Sequence, residues 1–185
     1  MKKFFPALIV AFVFTIVLVF QMSINGQESN AEKVDREKEK YSVYEDVFQK
    51  TEFQTTKNTN YKLSTVKQPI ILLNFWASWC QPCLSEFSTL KKLVNKFSSD
   101  ELLVIGINND DENPKKAIIK TEKDLNLNFE SVIDVDNKIT SSFLIEKIPG
   151  SIVFFKGKVI HFENEEFNFM DEKFIFKLKQ LLKSE

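Results

Sequence analysis

Two cysteines are all this 185-residue chain has, and they stand together as Cys80-Gln81-Pro82-Cys83. A disulfide framework spreads its cysteines so as to close long loops. A pair this tight closes almost no loop and gains little stability, so its placement favours chemistry over cross-linking. The flanks narrow the fold. Ile70–Phe75 (IILLNF) is a continuous apolar run of the kind a buried central strand requires. From about Gln81 to Phe97, Leu84, Phe87, Leu90, Leu93, Val94 and Phe97 recur at helical spacing. The pair therefore sits where a buried strand turns into a helix.

The same alternation continues along the chain. Thr51–Thr56 and Tyr61–Leu63 read as weak, edge-type strands, and Leu102–Ile107 as a second buried strand. Asn113-Pro114 opens a helix to about Leu125, with Asn as N-cap and Pro in the first helical position. Phe129–Ile133 is short and extended, and Asn137–Leu144 helical. Ser151–Phe155 and Lys158–Phe162 flank Lys156-Gly157, a hairpin signal. Asp171 caps a last helix to about Leu182, with Phe174, Ile175, Leu178 and Leu181 inward. Ahead of all these, Val43, Tyr44, Val47 and Phe48 mark a short helix within Tyr41–Phe48. Strands alternating with helices imply an α/β domain over 41–185, its largely parallel sheet covered on both faces and edged by an antiparallel hairpin. Four glycines against nineteen phenylalanines argue against a Gly-rich nucleotide loop and for an aromatic core. A net charge of −1 gives no basic surface for nucleic acid.

At spacing i, i+3 on one helix face, the two cysteines fall within disulfide reach, roughly 5.5 Å between Cα atoms. Cys80 stands where the first helical N–H groups are unpaired, and that positive end favours a thiolate. Cys83, one turn inside, should be more buried and less reactive. Pro82 falls in the first turn, where a missing N–H costs nothing. A structural zinc site needs four ligands, and the chain offers two cysteines and a distant His161. A c-type haem site needs His where Leu84 stands. No metal and no cofactor is called for. A static disulfide remains the plain alternative to redox chemistry.

Met1-Lys2-Lys3 precedes an apolar run from Phe4 to Phe20, which carried through Ile24 covers most of the hydrocarbon layer of about 30 Å. Two leading lysines keep the N-terminus inside and send the remainder outward. The segment 1–26 is either a cleaved signal or a retained anchor. Ser23, Asn25 and Gly26 make a poor cleavage site, which favours the anchor. Residues 27–40 read as a polar linker. Both readings place the domain on the outer, oxidising face of a cytoplasmic membrane.

The stretch Asn74-Phe75-Trp76-Ala77-Ser78-Trp79-Cys80-Gln81-Pro82-Cys83, with Leu84-Ser85-Glu86-Phe87, resembles the thioredoxin superfamily. It is similar to the membrane-anchored ResA/TlpA branch, reductants of cytochrome c maturation and related exported disulfides. Asn113-Pro114, Phe129 to Asp136 and Ile148-Pro149 follow in the order that branch shows. The resemblance implies a thioredoxin-like three-layer fold, a mixed sheet with helices on both faces. It implies Cys80 and Cys83 as the redox-active pair, a cis-proline at Pro149 facing them, and an acid at Glu86 that serves the thiols. Trp79, Gln81, Pro82, Ile148 and Pro149 would meet the substrate. Without the resemblance, Glu86 reads as an exposed acid early in a helix. Two departures stand out: Gly150 where the family usually has Thr, and the acidic, aromatic stretch Glu163–Phe169 where it usually has a glycine. Trp76 fits core and rim equally well, and His161 reads as a strand-surface residue.

The expected activity is exported thiol–disulfide exchange on a disulfide-bearing client such as apocytochrome c, with a transmembrane thiol carrier as electron donor. A thiol peroxidase of the same fold and a non-catalytic binding module are the alternatives. Direction of electron flow is set by reduction potential, which residue types do not encode.

Overall fold

The computed structural model describes residues 13–17, 19, 21 and 41–184. Most of the segment read as anchor, and all of the linker 27–40, lie outside the described residues. Residues 13–17, 19 and 21 are helical. Among the described residues no helix is long and apolar enough to cross a membrane. Among the described residues, all the strands and both cysteines belong to the unit Ser42–Glu185.

Helix α1 spans 41–50. The strands β1 (Glu52–Gln54) and β2 (Asn60–Lys62) pair with each other, antiparallel. β1 is shorter than its sequence suggests and β2 lies one residue earlier; the pair stands apart from the main sheet, tied to it by a bridge from Thr55 to Val132. Next come β3 (Ile70–Trp76), α2 (Gln81–Lys96), β4 (Leu102–Asn108), α3 (Pro114–Asp124) and β5 (Glu130–Ile133). The short α4 (Lys138–Ser142), the hairpin β6 (Gly150–Phe155) and β7 (Lys158–Glu163), and α5 (Glu172–Lys183) complete the chain. The sheet order is β5-β4-β3-β6-β7. β3, β4 and β5 run parallel, while β6 and β7 are antiparallel, the mixed architecture expected.

Every residue of β3 is buried, as befits a central strand covered on both faces. The phenylalanines fill both layers. On one side Trp76 meets Phe87 edge-on at 5.3 Å and Phe87 meets Phe129 at 5.5 Å. On the other, Phe48 lies 4.6 Å from Phe154, and Phe143 lies 6.1 Å from both Phe75 and Phe154. Lys156 and Gly157 have φ of 50° and 78°, which suits the right-handed twist of a two-residue hairpin.

One register row crosses the sheet without an apolar side chain. Ser131 pairs with Gly106, Gly106 with Asn74, Asn74 with Ser151 and Ser151 with Glu163. This row lies under α2. Trp76 Nε1 and Ser131 Oγ crowd it so closely that a Cβ on Gly106 would come within 2.7 and 2.9 Å of them. Both outer strands are engaged from the side as well. Thr56 N–H donates to Ser131 O at β5 (2.9 Å), while at β7 Glu45 accepts from Val159 N–H (3.2 Å) and Lys177 donates to Ile160 O (2.7 Å).

Some local expectations need correction. Asn113 occupies the N-cap position of α3, but in the left-handed region (φ 48°) and with no side-chain cap; only an extended N-cap aims its oxygen at the next N–H groups. Asp171 does cap α5, accepting from Phe174 N–H at 2.9 Å. Val43 is exposed, and Leu84, Val94 and Leu181 are only partly buried.

Candidate active site

The site is built at the C-terminal end of β3. After Trp76 the chain makes one turn, with Cys80 N–H donating to Ala77 O (3.1 Å), and α2 begins. Cys80 is its N-cap: Sγ accepts from Cys83 N–H at 3.3 Å, with Pro82 inside the first turn. The helix thus points its unpaired N–H groups at Cys80. Cys80 and Cys83 form a disulfide with Cα atoms 5.3 Å apart. Cys83 is fully buried and Cys80 is 5 % exposed. The expected order of depth holds, but Cys80 is less open than its junction position implied, because it packs into the same apolar cluster as Trp76 and Phe87. Trp79, 67 % exposed, marks the open side. Gln81 and Pro82 are exposed beside it, whereas Trp76 belongs to the core.

The loop before Cys80 is pinned by a residue the sequence did not single out. Asp110 accepts from Ser78 N–H (2.9 Å), Ser78 Oγ (2.8 Å) and Asn108 Nδ2 (2.7 Å). Its signal was the Asn109-Asp110-Asp111 run at the end of a parallel strand, where such folds place working loops. Asp134 does similar service at β5, accepting from the N–H groups of Ile139 and Thr140, each at 2.8 Å.

The Ile148-Pro149 bond is cis. Gly150 pairs with Phe75, so Pro149 lies one residue further along, level with Trp76 at the end of β3 that leads to Cys80. Ile148 packs against the cluster that holds both cysteines. Gly150, where the resemblance implies threonine, is closely surrounded: a Cβ there would lie 3.1 Å from Ile145 Cγ2 and 3.3 Å from Lys147 O, so a side chain would need these neighbours to give slightly.

Glu86, three residues beyond Cys83, is 2 % exposed, so the exposed-acid reading fails. Its Oε1 accepts from Asn74 Nδ2 at 2.6 Å, and the same amide donates to Ser151 Oγ at 2.9 Å. Its Oε2 accepts from Phe167 N–H at 3.1 Å. Burial pushes its pKa up to about 7, opposed by those two hydrogen bonds and reinforced by Glu166 and Glu163. A carboxyl poised there can take and return a proton near neutrality. The Phe167 amide, a backbone group, carries no residue-type signature, and sequence reading missed it.

His161 needs correction. It is a half-buried residue of β7 and not an open one: its ring lies 4.7 Å from Phe167 and 5.0 Å from Phe174. Burial, opposed by Glu163, lowers its pKa.

Known proteins are similar to this chain in sequence and in fold. Thiol-disulfide oxidoreductase ResA of Bacillus subtilis (strain 168) is 27% identical over 96 residues, 52% of this chain and 52% of that protein. Thioredoxin-like protein YneN of the same organism is 32% identical over 82 residues, 44% of this chain and 48% of that one. The chain thus spans about half the length of the curated relatives it matches. Among solved structures, StoA from Bacillus subtilis superposes with a TM-score of 0.58 at 21% identity, over 71% of this chain and 95% of that one. A secreted Mycobacterium tuberculosis disulfide oxidoreductase homologous to E. coli DsbE gives 0.59 at 18%, over 76% and 98%. The fold is thioredoxin-like. The AhpC/TSA family model matches residues 44–162, from α1 through the dithiol helix into β7, and over that extent the chain belongs to the AhpC/TSA family.

Proposed function

We propose that this protein is a thiol–disulfide oxidoreductase that reduces disulfides in exported clients. The observation that carries this reading is the Cys80–Cys83 disulfide at the start of α2 with a buried Glu86 one turn beyond. The activity named for ResA supports it. In the reduced protein the Cys80 thiolate attacks a client disulfide, forming a mixed disulfide and expelling one client thiolate. Cys83 then gives its proton to Glu86 and attacks Cys80 Sγ. The second client thiolate leaves and is protonated, and the protein is left as the disulfide. Two electrons pass to the client. Trp79, Gln81 and Pro82 on the open rim, with Ile148 and Pro149 beside them, form the client's seat. A transmembrane thiol carrier returns the electrons, and apocytochrome c is the kind of client the reading anticipates.

The test is exchange with a model disulfide. Reduced protein should reduce insulin, with a reduction potential toward the thioredoxin end of the range, near −270 mV rather than about −120 mV. A potential at the oxidising end would reverse the assigned direction. Consumption of peroxide without disulfide reduction would make the protein a thiol peroxidase. A pair indifferent to mild reductant would make it a binding module.

The reading also places the domain outside the cytoplasmic membrane, tethered by the apolar run Phe4–Ile24. Full-length protein is expected to stay with membranes after a high-salt wash. A soluble form starting near Gln27 would remove the tether and leave the export.

A further inference from the structure

The connection from β7 to α5, where the chain departs from the family pattern, is laid along the dithiol helix. Ser85 Oγ donates to Glu166 Oε1 (2.5 Å), and Glu86 Oε2 accepts from Phe167 N–H (3.1 Å). Thr89 Oγ1 accepts from Phe169 N–H (3.2 Å) while donating to the Glu86 carbonyl (2.9 Å). Residues 85, 86 and 89 lie along one side of α2, and they hold residues 166, 167 and 169 in the same order. Beneath, Phe169 is fully buried, and Phe167 meets Phe169 and Phe174 edge-on, each at 5.2 Å.

We propose that residues 164–171 are a fixed strap that aims the Phe167 N–H at Glu86, and that Thr89 is the positioning residue that latches it. The inference rests on the reading of Glu86 as the proton-handling acid of the dithiol pair. A threonine inside a helix meets its own hydrogen-bonding need by back-bonding to a nearby carbonyl. Thr89 does so, and its remaining lone pairs serve the strap. Buried backbone donors must find partners, and here the strap finds two on α2. The consequence falls on Glu86. Asn74 holds one oxygen from the sheet and Phe167 holds the other from the strap, so the carboxyl cannot rotate. Its proton is presented in one direction, and the strap keeps water off the group. Glu163 and Glu166 are the charged groups that face it, and both act in the same sense as burial.

Thr89→Val keeps the shape and removes the hydroxyl, whereas Thr89→Ser keeps the hydroxyl. The side-chain carboxyl of Glu86 can be titrated by carbon NMR in the full-length oxidised protein in detergent, with Glu86→Gln identifying the signal. Unlatching the strap loses the Phe167 hydrogen bond, which holds the pKa down, but readmits water, and burial is the larger effect; in Thr89→Val the carboxyl should therefore titrate lower, by about one pH unit. Exchange with glutathione disulfide should slow about tenfold at neutral pH, and Thr89→Ser should match the parent in both. Should Thr89→Val not fold, Ser85→Ala loosens the strap from the exposed end and should shift the titration the same way by less. If the parent exchanges disulfides and neither variant moves the titration, the strap is overturned and the redox reading stands. If the titration moves but no protein exchanges disulfides, the strap stands and the redox reading falls.

Discussion

Cys83→Ser is expected to turn the protein into a trap for its clients. Cys80 keeps its place at the start of α2, where the helix end favours its thiolate. The second sulfur, fully buried one turn on, can no longer displace the client. Covalent complexes should accumulate on non-reducing gels and vanish with added thiol, and multiple turnover should be lost. Cys80→Ser should yield few complexes or none. Equal trapping by the two variants would refute the division of roles. Absence of trapping in both, with a native pair that resists reductant, would favour the static disulfide.

Glu86→Gln is expected to change both stability and rate as a function of pH. Burial raises this carboxyl from 4.5 to about 7, so the native protein holds a proton between those values that the unfolded chain has released. The native state therefore gains from Glu86 most fully below pH 4.5 and loses that gain as pH rises through 7. The shift corresponds to roughly 3 kcal/mol. Urea unfolding of the oxidised proteins from pH 4 to 8 should show the parent's stability declining relative to Glu86→Gln by about that amount. A parallel pH course would mean that Glu86 is ionised in the native state throughout. In the reduced protein, loss of the carboxylate should lower the apparent thiol pKa, since a nearby negative charge disfavours thiolate. Client reduction at neutral pH should slow on the order of a hundredfold for want of the proton acceptor.

The elements that frame the site were legible because their signals are local. Ile70–Phe75 had to be a buried strand, the spacing from Leu84 to Phe97 had to be a helix, and Lys156-Gly157 had to be a turn. Cys80 and Cys83 follow from their junction, whereas the cis bond at Pro149 and the burial of Glu86 followed only from the resemblance. What escaped depends on residues distant in sequence. Asp110 gains meaning only when β4 is set beside the loop carrying Ser78. His161 reads as exposed until Phe167 and Phe174 fold over it. The hold on Glu86 comes from a backbone amide 81 residues away, which no pattern of side chains announces. Thr51–Thr56 read as an edge strand, but its end meets the main sheet only at Thr55 and Thr56, against Val132 and Ser131.

The side contacts on β5 and β7 limit how other chains can associate with this one. A free sheet edge is a template for strand addition, used by peptide-binding domains and exploited in aggregation. Here Thr55 and Thr56 engage the β5 side, and Glu45 and Lys177 occupy an amide and a carbonyl on the β7 side. An unfolded polypeptide presented to this protein therefore finds neither margin open for continuous augmentation. Under the function proposed above, a half-folded client would be met at the loops at one end of the strands and would not extend this sheet into a shared misassembly.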